Sequence, residues 1–466
     1  MTSLVSDAYQ YEVTPRVLDG TNFRTLLQSE ASSYSLGDVV RIAIPNVHNG
    51  FLNTTSSWFN ITMKIDSLEG VAINESVGGA AGMRYSYIGC HAIPDIVSIV
   101  SPNGQYLENT TNYQQQFAMN WCNNTDLGVA SANSITNNIC DPTTARKYSR
   151  VQGNVVEGLT INAGKTSAVG TITEKWSPTL SCMLNSSTCI PLTWFASEAF
   201  VEITITRELK NILCNTFASG TVTGGSATFT FELDACIDVV SDNSKRLIEQ
   251  KAGYGSGPIS WSSTQQRSSL HSLSLAELNA SGVSIKSNVI GGVRPRKLLS
   301  IQQSAFVRDT KGHLDRWACC NPYSNGSFQL RVGTELYPPR PIVGIAEQIR
   351  HTNKIYNQGA LTTLNNRLDN DSTSANTTNY GPRLNEDTGA RGNTNRGTVG
   401  YDFTCFDGNT DGLDTTSVII ESLGGVGKTS TNPVVADAVS PYEVISLKRF
   451  QVLYSVDPAG NVSVSY

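Results

Sequence analysis

Charge is scarce in this chain. Asp, Glu, Lys and Arg make up 16% of its 466 residues, against ~25% in typical soluble domains. Asn, Ser, Thr and Gly supply the polarity instead, and these residues favour turns and strands over helices. The formal net charge is −5 and no Lys/Arg-rich tail is present. The electrostatic footprint of a nucleic-acid binder is therefore missing, and no sequence-specific nucleic-acid binding is expected. No run of ~18 apolar residues occurs, so no membrane-spanning helix is expected. The opening MTSLVSDAYQYEVTP lacks the basic n-region and apolar h-region of a secretory signal. Histidine is rare, with five in all. No two stand at metal-ligand spacing, HExxH is absent, and so is the G-x-S-x-G nucleophile elbow.

Ten cysteines in a chain of this length are too few for a disulfide scaffold. Without a secretion signal they read mostly as reduced, small apolar core residues. Cys182 and Cys189 are spaced closely enough to form a local bridge.

What is present is alternation. Val40, Ile42 and Ile44 alternate with polar or small residues until Pro45. Phe59, Ile61, Met63 and Ile65 alternate with Asn60, Thr62, Lys64 and Asp66, the pattern of a half-buried strand. Ile93 to Val100 is more continuously apolar and reads as a strand buried on both faces, turned back by Pro102-Asn103-Gly104. Val201, Ile203 and Ile205 mark another strand. The longest has Ala227, Phe229, Phe231, Leu233, Ala235, Ile237 and Val239 on one face. Residues 1–38 are polar and mixed, an arm expected to pack on a neighbour or on the base of the first domain.

Charges and GYGSGP break the pattern between Ser241 and Gly257, which places a domain boundary there: residues 1–245 and 246–466. The second half repeats the layout. Leu298 to Val307 is strand-like. Phe328, Leu330 and Val332 alternate, and Pro338, Pro339 and Pro341 are then expected to stop the strand, since proline offers a ladder no N–H. A short helix follows Gly344, with Ile345, Ile349 and Tyr356 on one side. Tyr401, Phe403 and Cys405 alternate and are expected to be answered by Val418 to Ile420. Phe450 to Val456, a DPAG turn and Val462 to Tyr466 form a closing hairpin. Long polar excursions fill 109–149 and 363–400. The layout is all-β: two antiparallel sandwiches in tandem, with long surface loops and a few short helices.

Candidate chemistry is thin. GGVGKTS at Gly424 to Ser430 looks like a phosphate loop, but Ser422 stands where the motif needs glycine. Asp407, Asn409 and Asp411 match the first half of a calcium loop, but its twelfth position is Val418 instead of a bidentate Glu. A hairpin turn whose side chains bond their own backbone explains these residues better, and their binding of a divalent ion stays open. His313, Cys319 and Cys320 make a poor zinc set, because adjacent cysteines rarely reach one metal. Thr110 to Phe117 reads as a loop or short helix capping a sandwich. No catalytic, cofactor-binding or metal-binding residue is assigned, and no cofactor.

Three stretches carry a resemblance. QLRVGTELYPPRPI, at 329–342, is similar to a segment in the second half of double jelly-roll major capsid proteins. IVSPNGQYLENTTNYQQQ, at 99–116, resembles their NG..LE...NY segment through Asn103, Gly104, Leu107, Glu108, Asn112 and Tyr113. RFQVLYSVDPAGNVSVSY, at 449–466, is similar to their closing hairpin. The group is that of small double-stranded DNA viruses: polinton-like viruses, adintoviruses and virophages. The resemblance implies that both sandwiches are jelly rolls (a double jelly roll) and that the protein is a structural subunit with no enzymatic role. It implies a homotrimer forming pseudo-hexagonal capsomers of an icosahedral shell. Its partners would be neighbouring capsomers, penton and minor capsid proteins, with an internal membrane left open. Its place would be the virion, after assembly inside the host cell. The polar excursions become outward towers and intersubunit loops, and the proline corner a candidate subunit contact. The missing basic arm departs from the usual pattern of shells that package genome with their own subunit. The rivals are a secreted β-sandwich enzyme acting on carbohydrate, which calls for a signal peptide and a carboxylate pair about 5–10 Å apart, and a receptor-binding adhesin or spike, which calls for a stalk or repeats.

Overall fold

The computed structural model describes residues 20–69, 83–85, 88–124, 172–177, 189–215, 224–251, 258–273, 283–287, 297–307, 327–355, 398–403, 420–424 and 442–466. In the first half come β1 (Gly20–Gln28), β2 (Tyr34–Ser35), β3 (Val39–Ile44), β4 (Gly50–Leu52), β5 (Trp58–Glu69), β6 (Met83–Tyr85), β7 (Pro94–Val100), β8 (Tyr106–Thr110), α1 (Tyr113–Asn124), β9 (Ile172–Trp176), β10 (Ala199–Ile205), β11 (Leu213–Asn215), β12 (Gly224–Val240) and α2 (Asp242–Lys251). The second half holds β13 (Ile259–Leu273), β14 (Val283–Ser287), β15 (Leu298–Val307), β16 (Ser327–Val332), β17 (Glu335–Val343), α3 (Ile345–Ile355), β18 (Val399–Asp402), β19 (Ile420–Gly424), β20 (Tyr442–Val456) and β21 (Val462–Ser465).

β12 is the spine of the first half. It pairs antiparallel with β1, β2, β4 and β5. Ala227, Phe229, Phe231, Leu233, Ala235 and Ile237 are all buried, so its period-2 apolar face is a core face. The resulting sheet runs β1-β12-β5-β9. Facing it is β3-β10-β7-β8, which adds Val40, Ile42, Ile44, Val97, Ile99, Val201 and Ile203 to one contiguous core. Each such side chain contributes ~1.5–3 kcal/mol on full burial.

The second half has two sheets, β13-β20-β15-β18 with β21 on β20, and β14-β19-β16-β17. β20 is its spine, paired with β13 along all 15 residues of each strand. The described strands pair only within β1–β12 or within β13–β21.

Several expectations are corrected. Residues 20–28 are a strand laid in register along the end of β12, from Gly20 opposite Val240 to Gln28 opposite Glu232. The stretch after Val240 continues as helix α2, because Ser241 caps it: its hydroxyl accepts the Ser244 N–H at 3.2 Å. Of the loop or short helix expected at Thr110 to Phe117, the structure has the helix, α1, from Tyr113. The prolines do not end the strand. Among the described strands β17 is an edge strand paired with β16 alone, and Pro338 to Pro341 lie in an irregularity between the Leu330–Tyr337 and Phe328–Ile342 pairs. There the Gln329 amide donates to the Pro338 carbonyl at 2.8 Å, giving that acceptor the donor which the interrupted ladder does not supply. β18 pairs with β15, while β19 belongs to the opposite sheet between β14 and β16. Helix α3 follows as expected, and its described buried face is Gln348, Thr352 and Ile355.

Candidate functional site: the seam between the sandwiches

The two halves meet where β8 and α1 of the first lie against β13, β20 and β21 of the second. Pro102-Asn103-Gly104 turns β7 into β8, and Gly104 adopts φ +80, a conformation glycine tolerates without a Cβ clash. The turn presents Asn103, whose side-chain amide donates to the Val462 carbonyl at 2.9 Å. The Ser101 hydroxyl donates to Asn103 Oδ1 at 2.6 Å and holds that amide in place. Further along β8 the Leu107 carbonyl accepts from the Tyr454 hydroxyl at 2.6 Å and from the Gln265 amide. Gln265 also donates to the Tyr454 hydroxyl at 2.6 Å. Trp261 stacks on Tyr454, with ring centroids 5.2 Å apart.

The start of α1 continues the contact. Asn112, at φ 52, donates to the Ser268 hydroxyl at 3.0 Å. That hydroxyl donates to the Thr111 carbonyl at 3.0 Å and accepts from the Gln116 amide at 3.2 Å. Asn120 donates to Gln266 Oε1 at 2.8 Å. Beneath α1, His91 stacks on Phe117 at 3.7 Å between centroids, and its Nδ1 lies 2.9 Å from the Tyr113 hydroxyl. Burial pushes its pKa down to about 3, so the ring is neutral at physiological pH.

A second contact lies at the closing turn. The Ala196 N–H donates to the Gly460 carbonyl at 3.3 Å. Gly460 has φ +83, and a Cβ there would stand 2.5 Å from the Ala196 nitrogen. Helix α2 is tied to the first half by Asn49, which donates to Asp242 at 2.7 Å, and by the Trp194 indole, which donates to Glu249 at 3.2 Å. The apolar core does not stop at the seam. The cluster that fills the first sandwich extends through Ile445, Leu447, Phe450, Val452, Tyr454, Val456 and Val462. A seam with a shared core and directional bonds fixes one relative placement of the two halves.

Of the residues weighed for chemistry, Asp407, Asn409, Asp411, Cys182, His313, Cys319, Cys320 and the Gly-Lys-Thr of the glycine-rich loop fall outside the described residues. Cys189 carries a free thiol and is half-buried. Among the described residues no group of three His, Cys, Asp or Glu side chains is placed to hold a metal, and no helix is long and apolar enough to cross a membrane. Thr110 to Phe117 is not merely a cap, since Thr111, Asn112 and Gln116 form part of the first-half side of the seam. Sequence reasoning missed Gln265, Gln266 and Ser268. The signal was there as SSTQQRSSL, a polar run inside a 15-residue strand, but polarity in a strand ordinarily means solvent.

Solved structures match this chain over nearly its whole length. This chain has the double jelly-roll fold. It is similar to the PBCV-1 virus capsid subunit, with a TM-score of 0.56 and 11% identity over 97% of this chain and 98% of that one. The Sputnik virophage structure gives 0.57 and 12%, covering 100% of this chain and 93% of that one. The major capsid protein of mavirus gives 0.54 and 10%, covering 100% and 95%. No family model matches the sequence and no curated protein matches it. In double jelly-roll terms, the seam joins the first roll's β8–α1 segment to the second roll's closing hairpin, two of the three stretches that carried the resemblance.

Proposed function

We propose that this chain is the major capsid protein of an icosahedral double-stranded DNA virus. Its work is mechanical: it builds shape and subunit contacts, with no catalytic step. The observation that carries the reading is the likeness to capsid subunits over essentially the whole chain, through both rolls in tandem. That likeness favours neither a carbohydrate-active sandwich nor an adhesin. The division into 1–245 and 246–466, with α2 as the joint, fits strand pairing that stays within each half.

Two rolls held rigidly side by side are one third of a pseudo-hexagonal tile. Three chains about a three-fold axis supply six similar blocks, so the subunit works as a homotrimer. Such tiles contact neighbouring capsomers, penton and minor capsid proteins in the virion, after assembly inside the host cell. Obligate interfaces bury about 2,000–5,000 Å², so the trimer survives dilution. Mass photometry of the recombinant 50.2 kDa chain tests this directly. The expected species has three times the chain mass and a pseudo-hexagonal outline by negative stain. A stable monomer under every non-denaturing condition overturns the reading.

A further inference from the structure

Glu108 is sealed into the seam. The residue is 7% exposed, and its Oε1 has no hydrogen-bond partner. It projects from β8 opposite Ile99 of β7. Two groups of the second roll act on it, Arg267 and Tyr454. Arg267 of β13 acts on it electrostatically, while its own Nη2 donates to the Tyr466 hydroxyl at 2.7 Å and its guanidinium lies 4.9 Å from that ring. Tyr454 of β20 donates to the carbonyl of the adjacent Leu107. Lys448, buried on β20, is paired across the strands with Arg267. An ionised carboxylate in this closed place, with one oxygen lacking any donor, costs several kcal/mol.

We propose that Glu108 is a proton-operated latch on the seam: protonated, it leaves β8 packed against β13 and the closing hairpin, and ionised, it drives that contact apart. Burial holds the carboxyl well above its ordinary value of 4.5, and the Arg267 charge opposes this more weakly. A carboxyl raised in the fold contributes stability on the acid side of its ordinary value and loses it as pH climbs through the raised one. The neighbours do not produce this behaviour. Burial lowers Lys448 to about 8 and His91 to about 3, and both therefore favour the fold more as pH rises. Burial pushes Tyr454 upward, so it ionises only above the ordinary phenol range near ~10. Burial also raises the Cys189 and Cys236 thiols above their ordinary 9.0, so among the described groups, loosening of the seam below that value belongs to Glu108. The inference concerns the single chain, so its failure leaves the capsid reading standing.

The test is amide hydrogen exchange on the full-length chain from about pH 5 to about pH 9, corrected for intrinsic base catalysis. Peptides covering 104–112 and 452–465 should exchange about tenfold faster above a single midpoint, while β12 peptides stay protected. Glu108→Gln, neutral and nearly isosteric, should abolish the midpoint and keep the seam protected throughout. Arg267→Gln removes the opposing cation and should move the midpoint upward. A flat wild-type profile overturns the latch, as does a wild-type transition persisting in Glu108→Gln. If Glu108→Gln does not fold, an Arg267→Gln midpoint that is unchanged or lower overturns it equally.

Discussion

The side chain of Asn103 bonds the main-chain carbonyl of Val462 at 2.9 Å, across 359 residues of sequence. One end of that bond is a turn of the first roll and the other is the last strand of the second. Neither residue does chemistry, yet the bond helps set the angle between the rolls. Replacing Asn103 with Ala leaves the carbonyl without this donor. We expect a loss of about 1 kcal/mol in urea unfolding, with faster amide exchange confined to residues 460–465 and to the β7–β8 turn.

Gly460 should be less forgiving. Its φ of +83, and the mere 2.5 Å that would separate a Cβ at this position from the Ala196 nitrogen, leave no room for a branched side chain. Gly460→Val should cost about 1–3 kcal/mol from backbone strain alone, and more from the displaced contact. Thermal unfolding measures the loss. A Tm equal to wild type would show that the closing turn is not held against the first roll.

His91 predicts an acid limit. Its folded pKa of about 3 lies below the ordinary 6.5, so the neutral ring contributes stability that is present above 6.5 and lost as pH falls toward 3. The loss is at most roughly 1.4 kcal/mol per pH unit. His91→Phe keeps the stack on Phe117 and removes the titration. Between about pH 7 and about pH 4.5 the wild-type urea midpoint should fall relative to that of the variant, a comparison in which the opposite titration of Glu108 is common to both.

Some of this molecule was legible in its sequence and some was not. Phe229, Phe231 and Leu233 announced β12 because a strand with one buried face must alternate, and the register of burial follows from that period alone. The closing hairpin was equally plain, since Asp457, Pro458 and Gly460 are turn chemistry and their flanks alternate. β13 was not legible. Its Gln265 and Ser268 are polar yet buried, and only the approach of Leu107, Asn112 and Gln116 makes that burial tolerable by supplying partners. The strand through Pro338 was misread for a related reason: proline forbids ladder bonds, but Gln329 stands ready to take the orphaned carbonyls. The pairing of β18 with β15, and of β19 with β14 and β16, is long-range and leaves no local trace. The sequence by itself therefore determined where strands and turns form, because φ/ψ preference and side-chain alternation are local. The tertiary structure decided which strands pair, how the two rolls sit, and that Glu108 is shut away from water, because each of those depends on groups hundreds of residues apart finding one another.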